Sequence, residues 1–474
     1  MAMDHTFLVD LLGEDQVSTA ESTLTEHATD WGTEDSDGAP PDAVVYPAST
    51  DDVSAVLAAA TERGIPVTPY AAGTSLEGNP VPAHGGISMN LTRMDAVLDV
   101  RPDDFQLDVE PGVMGPEIEA AAGQHGLFFP PLPSSGDIST IGGMIANAAS
   151  GMQTVKYGEI ADWVLELEVV LADGSVITAG SKAVKTSSGY NLRDLFVGSE
   201  GTLGVVTRAT LELAGRPEQI RGGRALFATL DDAAAAVSDA VRSGVDVAKI
   251  ELLDAEAASM SNAYTGADLP DQPMVFLEFH ADHGIDDEIA FCEAVLADHD
   301  PERFEIADEE RMDDLWRARK DLAPAIDDYD PDRVFRHPGD VTVPISEYGT
   351  LIAYAKSLAG EYDLSIPCFG HAGDGNVHYA ILVDPDDPDE AARAKEAHSR
   401  IIERAIEVGG TATGEHGIGQ GKRGYLVAEH GEEAVEAMRA VKRALDPNDT
   451  LNPGKLFPET ADGERVKGTL PDAE

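Results

Sequence analysis

Three stretches rich in glycine, alanine, serine and threonine punctuate the first half of the chain. They are Ala71-Ala72-Gly73-Thr74-Ser75-Leu76-Glu77-Gly78, the run from Thr140 to Gly151, and the run from Val197 to Val206. Small residues let backbone approach backbone, or a flat ligand, more closely than ordinary side chains allow. In the first stretch, main-chain N–H groups can point into one concavity, with Thr74 and Ser75 adding hydroxyl donors. Such a nest suits a pyrophosphate, and the same residues suit a plain turn equally well. The stretch is neither a G-x-G-x-x-G opening a helix nor a P-loop with its lysine. Tight helix packing explains one such loop; three in one domain point to a bound ligand.

The segments around these loops alternate between the two periods of regular structure. Strands are expected over 43–47, 66–70, 86–90, 105–109, 164–171, 175–179 and 204–213, with Asp173-Gly174 as a hairpin turn. A helix is expected over 51–63, where Val53, Val56, Leu57 and Ala60 form one apolar stripe and Thr50 or Asp51 suits the N-cap. A second helix is expected over 115–126. Gly215-Arg216-Pro217 then breaks the pattern. Beyond it a new alternation begins, with strands at 224–228, 248–253 and 274–280 and a helix at 230–243, resembling a ferredoxin-like α+β module enlarged by helices. The expected division is a helical lead-in and acidic linker over 1–40, one domain over 41–216, another over 217–424, a C-terminal helical segment over 425–458 and a flexible tail over 459–474. That last helix is read over 431–445, with Lys442 and Arg443 as favourable charges in its final turn.

Composition excludes several functions. Asp and Glu total 87 against 33 Lys and Arg, a formal net charge of -54. Clustered cations for phosphate contacts are lacking, so nucleic acid is not an expected partner. Two cysteines, Cys292 and Cys368, cannot make a disulfide framework, which fits a reducing cytosol. No basic and apolar leader opens the sequence and no apolar run reaches the roughly 18 residues of a membrane span. The expected location is cytoplasmic, with peripheral membrane attachment through a partner left open.

The last quarter carries the chemistry. His371-Ala372-Gly373-Asp374-Gly375-Asn376-Val377-His378 and Gly414-Glu415-His416-Gly417 gather three imidazoles and a carboxylate among glycines. Strands expected at 365–369 and 377–383 would place His371 and His378 on either side of a turn, where they can converge on one ion, with Glu415 as third ligand. Two imidazoles and a carboxylate with open positions suit Zn²⁺ best and Mn²⁺ or Fe²⁺ next. Asp374 is either an outer hydrogen-bond partner of that site or a turn former. His416, beside a ligand, is placed to take a proton from a substrate hydroxyl or to orient the substrate. Cys368 reads as a small buried residue and Lys422 as a surface charge.

Taken together, these motifs make residues 41–213 resemble the FAD-binding domain of the vanillyl-alcohol oxidase/p-cresol methylhydroxylase flavoproteins. The segments 371–378 and 414–421 resemble the C-terminal domain of the D-2-hydroxyacid dehydrogenase branch, which includes D-lactate dehydrogenases, the glycolate oxidase flavin subunit and D-2-hydroxyglutarate dehydrogenases. The resemblance covers roughly 41–458, and segments 69–78 and 340–346 look most like the D-lactate dehydrogenase versions. It implies an α+β fold, with a two-part FAD-binding domain and a ferredoxin-like substrate cap. It also implies that Ala71, Ala72, Gly73, Thr74 and Ser75 hold the FAD pyrophosphate. Gly78, Gly142, Gly143, Ala146, Asn147, Ser150 and Gly151 would line the flavin and ribityl chain. Glu200, Gly201, Gly204 and Val206 would face the adenosine, and Asn452 would return to the flavin. The first loop has no histidine, so FAD is expected to be non-covalent; His84 lies outside it and reads as a surface residue. Ala71-Ala72 replace a frequent glycine pair, which requires negative φ at both, and Met144 replaces a frequent asparagine. Arg319 matches the carboxylate-binding arginine of the family, with Arg317 and Lys320 as neighbouring candidates.

The implied activity is oxidation of a small D-2-hydroxy acid, D-lactate to pyruvate first, by metal-assisted deprotonation of the hydroxyl and hydride transfer to flavin N5. Glycolate and D-2-hydroxyglutarate are the alternatives, although His337-Pro338-Gly339 stands where some D-2-hydroxyglutarate relatives carry a lysine. Readings of another class are an alkyl-glycerone-phosphate synthase-like transferase and a non-catalytic flavin electron carrier. The expected partners are the hydroxy acid and an external acceptor (quinone, cytochrome or iron–sulfur protein), with a homodimer left open. The charge of -54 is read as adaptation to a salt-rich cytoplasm, as in a halophile. Acidic self-repulsion opposes compaction at low salt and is largely screened when the Debye length falls to about 3 Å at 1 M. The thermal midpoint is therefore expected to rise steadily from millimolar to molar KCl; a midpoint insensitive to KCl would contradict this reading.

Overall fold

The computed structural model describes residues 3–32 and 40–458. Residues 33–39 of the expected linker and the whole expected tail, 459–474, lie outside the described residues. The chain divides into two compact units. One gathers residues up to 150, 159–216 and those from 415 onward; the other gathers 151–158 and 217–414.

The first unit carries three sheets. Strands β1 (Val17–Ser18), β2 (Ala43–Val45), β3 (Val67–Tyr70) and β4 (Ile87–Asn90) form a sheet in the order β1-β2-β4-β3, parallel except for β1. The helix Thr50–Arg63 makes the crossover between β2 and β3 and buries Val53, Val56, Leu57 and Ala60, the stripe read from the sequence. Its N-cap lies one residue earlier than expected. Ser49 is extended there and its hydroxyl accepts from the Asp52 N–H at 3.2 Å, which satisfies an otherwise orphan donor.

Strands β5 (Val97–Arg101), β6 (Gln106–Val109), β7 (Leu127–Phe128), β8 (Val164–Val170), β9 (Val176–Gly180), β10 (Val205–Glu212) and β11 (Ala214–Gly215) follow. β5, β6, β10, β8 and β9 make an antiparallel sheet in that order, and β7 pairs with β11. The helix expected over 115–126 ends at Gly123. The second small-residue stretch forms the short helix Ile141–Ala146, whose Ile141, Met144 and Ile145 enter the core under the five-stranded sheet beside Leu107, Leu167 and Leu211. Met144 is therefore a core residue.

The C-terminal helix, Glu432–Leu445, starts one residue later than read, after Gly431 at φ 79°. Lys442 stands in the last turn as read, and it does more than complement the helix end. It is buried and its ammonium donates to the carbonyls of Thr202 and Leu451, both at 2.8 Å, and to Asp446 at 2.5 Å. Three N–H donors satisfied in one place offset the cost of burying the charge. Leu451 then bridges Val67 in parallel, with Asn452 N donating to Val67 O at 2.8 Å.

The second unit is built on one antiparallel sheet. Its strands are β12 (Gln219–Leu226), β13 (Lys249–Leu253), β14 (Met274–Ala281), β15 (Arg303–Ile306), β16 (Val334–Thr342), β17 (Cys368–His371) and β18 (Asn376–Val383), in the order β15-β12-β14-β13-β17-β18-β16. Helices Leu230–Arg242, Ile285–Leu296, Glu309–Lys320, Tyr348–Tyr362 and Pro388–Glu407 accompany it. β17 begins three residues later than the strand read over 365–369. Pro367 has no N–H to offer a ladder, and regular pairing starts after it. No helix among the described residues is long and apolar enough to cross a membrane.

Close to the end of the first unit, Lys455 is buried, its ammonium donating to Val81 O. Burial pushes this ammonium down to about 7, against the opposing pull of Glu200 and with the Arg423 charge adding to the depression. An unfolded lysine titrates near 10.4, so between about 7 and 10.4 the unfolded chain holds the extra proton. Stability is then expected to rise with pH across that window, by up to about 1.4 kcal/mol per unit from this group. Urea unfolding from neutral to mildly alkaline pH should show the slope in the native sequence and lose it in Lys455→Met.

Candidate active site

The second unit brings the histidines together through strand register. Across an antiparallel pair, directly opposed residues share a face, and residues two apart along a strand share it too. Glu251 on β13 opposes His371 on β17, Phe369 opposes His378 on β18, and His378 opposes Asp340 on β16. All five side chains therefore stand on one face of the sheet. His371 and His378 are buried with ring centroids 5.1 Å apart at 90°. Between them the chain turns through Ala372–Asp374, and Gly375 takes φ 83°, where a β-carbon would lie 2.1 Å from Val343 O. Asp374 accepts from Asn376 N at 3.1 Å, as a turn former does.

Glu251 is fully buried and its two oxygens are divided. Oε1 lies 2.7 Å from His371 Nδ1, and Oε2 accepts from Arg319 Nε at 2.6 Å. Arg319 comes from the helix Glu309–Lys320 and stacks its guanidinium over Phe369, 5.1 Å from the ring centroid. Of the three basic candidates in this helix only Arg319 is buried; Arg317 is exposed and pairs with Asp314, and Lys320 is exposed. The Arg319 Nη2 is buried without a hydrogen-bond partner among the described residues. A buried guanidinium N–H left unmade is costly, and here it sits on the same face as the histidines.

Asp340, also fully buried, accepts from Asn376 Nδ2 at 2.7 Å, from Thr413 Oγ1 at 2.8 Å and from Gly414 N at 2.8 Å, and its Oδ1 lies 4.0 Å from His378 Nδ1. A β-carbon on Gly414 would fall 2.2 Å from Asn376 Nδ2 and 2.8 Å from Asp340 Oδ1, so glycine is required beside this carboxylate. His378 Nδ1 and Asp340 Oδ1 offer nitrogen and oxygen donors of the kinds a divalent metal takes, with the His371 ring beside them.

The first unit holds Glu415, His416 and the small-residue loops. Asn147 Nδ2 donates to the carbonyls of Glu415 at 3.3 Å and His416 at 2.9 Å, and Ser150 Oγ donates to Glu415 Oε2 at 3.4 Å. Glu200, at φ 52°, accepts from Ile418 N at 2.7 Å, Gly419 N at 2.9 Å and Asn79 Nδ2 at 2.7 Å. Burial pushes its carboxyl up, while those donors and Lys455 pull it back. The Glu200 carboxylate thus fixes the backbone that follows His416. Asn452 donates to the carbonyls of Asn79 at 3.0 Å and Glu200 at 2.7 Å. The Oδ1 atoms of both Asn79 and Asn452 are buried without a partner among the described residues. Two such orphans beside glycine-rich backbone fit a polar planar cofactor.

The first loop meets the condition set by its alanines. Neither Ala71 nor Ala72 has positive φ, while Gly73 and Gly78 do, at 68° and 72°. Thr74 Oγ1 and Ser139 Oγ share a hydrogen bond at 3.0 Å, and Gly78 N donates to Asp30 at 2.8 Å. Gly142 and Gly204 are needed for packing. A β-carbon would meet Pro111 at 2.6 Å and Val169 at 2.4 Å respectively. Gly143 serves the Thr140 cap, its N–H donating to Oγ1 at 3.3 Å, Gly201 takes φ 67°, and Val206 is in the core. Ala146 receives Glu200 N on its carbonyl, and Gly151 N donates to Thr154 Oγ1.

Other sequence readings divide. Cys368 is buried and His84 is exposed, as read. Lys422 corrects the reading of a surface charge: it is 1% exposed and its Nζ lies 3.3 Å from Glu77 Oε1. Glu251, Asp340 and Asn79 were not singled out as site residues at all. Glu251 had a signal, an acid between Ile250 and Leu252 in a strand, which period two places opposite the apolar set.

Known proteins share this organisation. The family model for FAD linked oxidases, C-terminal domain, matches residues 216–456, and that for an FAD binding domain matches 41–180. Glycolate oxidase subunit GlcD of Bacillus subtilis (strain 168) is 38% identical over 425 residues, 89% of this chain and 90% of its own. A probable mitochondrial D-lactate dehydrogenase of Danio rerio is 38% identical over 457 residues, 94% of this chain and 90% of its own. Among solved structures, p-cresol methylhydroxylase with substrate bound aligns with a TM-score of 0.79 at 18% identity, covering 98% of this chain and 96% of the other, and shows the fold. The α+β architecture is therefore that of the p-cresol methylhydroxylase type, and the chain belongs to the FAD-linked oxidases.

Proposed function

We propose that this FAD-dependent oxidoreductase oxidises a small D-2-hydroxy acid, D-lactate first and glycolate next, to the 2-oxo acid. The observation that carries the reading is Arg319, buried on the histidine face with Nη2 unpartnered among the described residues. A guanidinium held this way is ready for a carboxylate, the one group common to all these substrates. The names of the relatives, glycolate oxidase subunit and D-lactate dehydrogenase, supply the substrate class.

In this reading His371, His378 and Glu415 hold a divalent metal, Zn²⁺ before Mn²⁺ or Fe²⁺, and the Ala71–Ser75 loop with Gly78, Gly142, Gly143, Asn147, Ser150, Gly151, Glu200, Gly201 and Asn452 belongs to the site of non-covalent FAD. When bound, the flavin supplies a two-electron acceptor and the metal a Lewis acid toward the substrate oxygen. Arg319 fixes the carboxylate and so the side of the acid that is presented. The His416 imidazole takes the hydroxyl proton. Asn147, Glu200 and Asn79 hold the peptides around His416, so the base is placed by backbone rather than by its own flexible attachment. An external acceptor, a quinone, cytochrome or iron–sulfur protein, completes the cycle.

Anaerobic mixing in molar KCl with D-lactate, L-lactate, glycolate and D-2-hydroxyglutarate tests the reading. D-lactate is expected to bleach the flavin and L-lactate to leave it oxidised; no bleaching by any of the four, with FAD and metal present, would favour the transferase or carrier readings. His371→Ala and Glu415→Ala are expected to lose both metal content and turnover. Arg319→Met should raise KM about 10- to 100-fold, the worth of a charge-assisted hydrogen bond.

A further inference from the structure

Glu251 belongs to no sequence motif of the site, yet it is the group that both halves of the chemistry in the second unit touch. Its side chain is completely buried, Arg319 lies against one oxygen at 2.6 Å and His371 Nδ1 against the other at 2.7 Å. A carboxylate only accepts hydrogen bonds, so the hydrogen on the His371 ring sits on Nδ1. That tautomer leaves the lone pair for metal ligation on the opposite nitrogen. The same carboxylate holds Arg319 through Nε and leaves Nη2 without a hydrogen-bond partner among the described residues. β13 lies between β14 and β17 in the sheet, so the backbone of Glu251 is held on both sides.

Resting on the functional reading above, we propose that Glu251 is a positioning residue that serves metal and substrate at once. It sets the ligating tautomer of His371 and the aim of Arg319, so that loading the metal and gripping the acid do not compete. Both roles require two acceptor oxygens. A glutamine has one. Its amide NH₂ must then face either Arg319 Nε–H, where two donors oppose each other, or His371 Nδ1, where it favours the tautomer whose other nitrogen carries a hydrogen and cannot bind a metal. In Glu251→Gln the two functions should therefore become antagonistic.

The test uses the holoenzyme with bound FAD in molar KCl. Zn²⁺ affinity is read by equilibrium dialysis against a metal buffer. Pyruvate affinity is read from its perturbation of the flavin spectrum, with and without saturating Zn²⁺. For Glu251→Gln the Zn²⁺ dissociation constant is expected to rise about 10- to 100-fold, as for other partners of ligating histidines. Pyruvate binding should weaken at least about tenfold at saturating Zn²⁺, and change little in the metal-free enzyme. Glu251→Asp keeps both oxygens with a shorter reach, and should restore compatibility of the two ligands even if each binds somewhat less tightly. A Glu251→Gln protein that binds Zn²⁺ and pyruvate together as well as the native enzyme overturns the proposal. So does one in which pyruvate weakens equally with and without Zn²⁺, which is what a loosened fold would give. If Glu251→Gln does not retain FAD, Glu251→Asp decides by the same measurements: mutual exclusion of Zn²⁺ and pyruvate there overturns the proposal. If the native enzyme itself binds neither Zn²⁺ nor pyruvate, the functional reading fails, and the role given to Glu251 falls with it.

Discussion

A slip of one residue between β17 and β18 would send His378 to the opposite face of the sheet from His371. Everything else in the second unit presumes that this register holds. The turn Ala372–Asp374 with Gly375 sets it from one end, and β13 and β16 flank the pair from either side, bringing Glu251 and Asp340. Because β17 is only four residues long, the register is carried by its neighbours more than by its own pairing. The buried Asp340 adds a further constraint, since its three donors come from β18 and from the Thr413–Gly414 peptide.

The charge balance of the chain makes its interior unusual in a particular way. With 33 basic residues against 87 acidic ones, each cation withdrawn from the surface leaves that surface more negative. Yet Arg224, Arg319, Lys422, Lys442 and Lys455 are all buried. Arg224 pairs with Glu305, Arg319 with Glu251, Lys422 with Glu77 and Lys442 with Asp446. Screening by salt reaches exposed charges and hardly touches such pairs. The protein thus relies on two regimes: an outer shell whose repulsion depends on the medium, and inner pairs whose geometry does not.

Much of this was legible in the sequence because it is local. The stripe Val53, Val56, Leu57 and Ala60 depends only on helical spacing, and the small-residue loops and histidine motifs depend on neighbours within a dozen positions. Glu251 was hidden for the opposite reason. Its partners lie 68 and 120 positions away, so its place between two apolar residues gives no hint of what it binds. Lys422 reads as a surface charge and the burial of Lys442 goes unseen, since nothing beside them in the sequence announces Glu77 or the carbonyl of Thr202. The glycines of the second and third loops looked alike, but Gly142 and Gly204 are required by Pro111 and Val169 beneath them, a distinction only packing reveals.

The bridge between Val67 and Leu451, with Asn452 bonded to Val67 and Lys442 to Thr202, closes the first unit with residues from the far end of the chain. On a ribosome those closing residues arrive on the order of tens of seconds after the strand they complete. The second unit, continuous from 217 to 414 apart from one short segment, is fully synthesised before then. The order of completion therefore runs against the order of the sequence: the inserted unit can finish first, while the unit holding Val67 must wait with its parallel edge unpaired. An edge held open that long is one that nascent-chain chaperones would meet, and a stop codon just before Thr450 would leave it open for good.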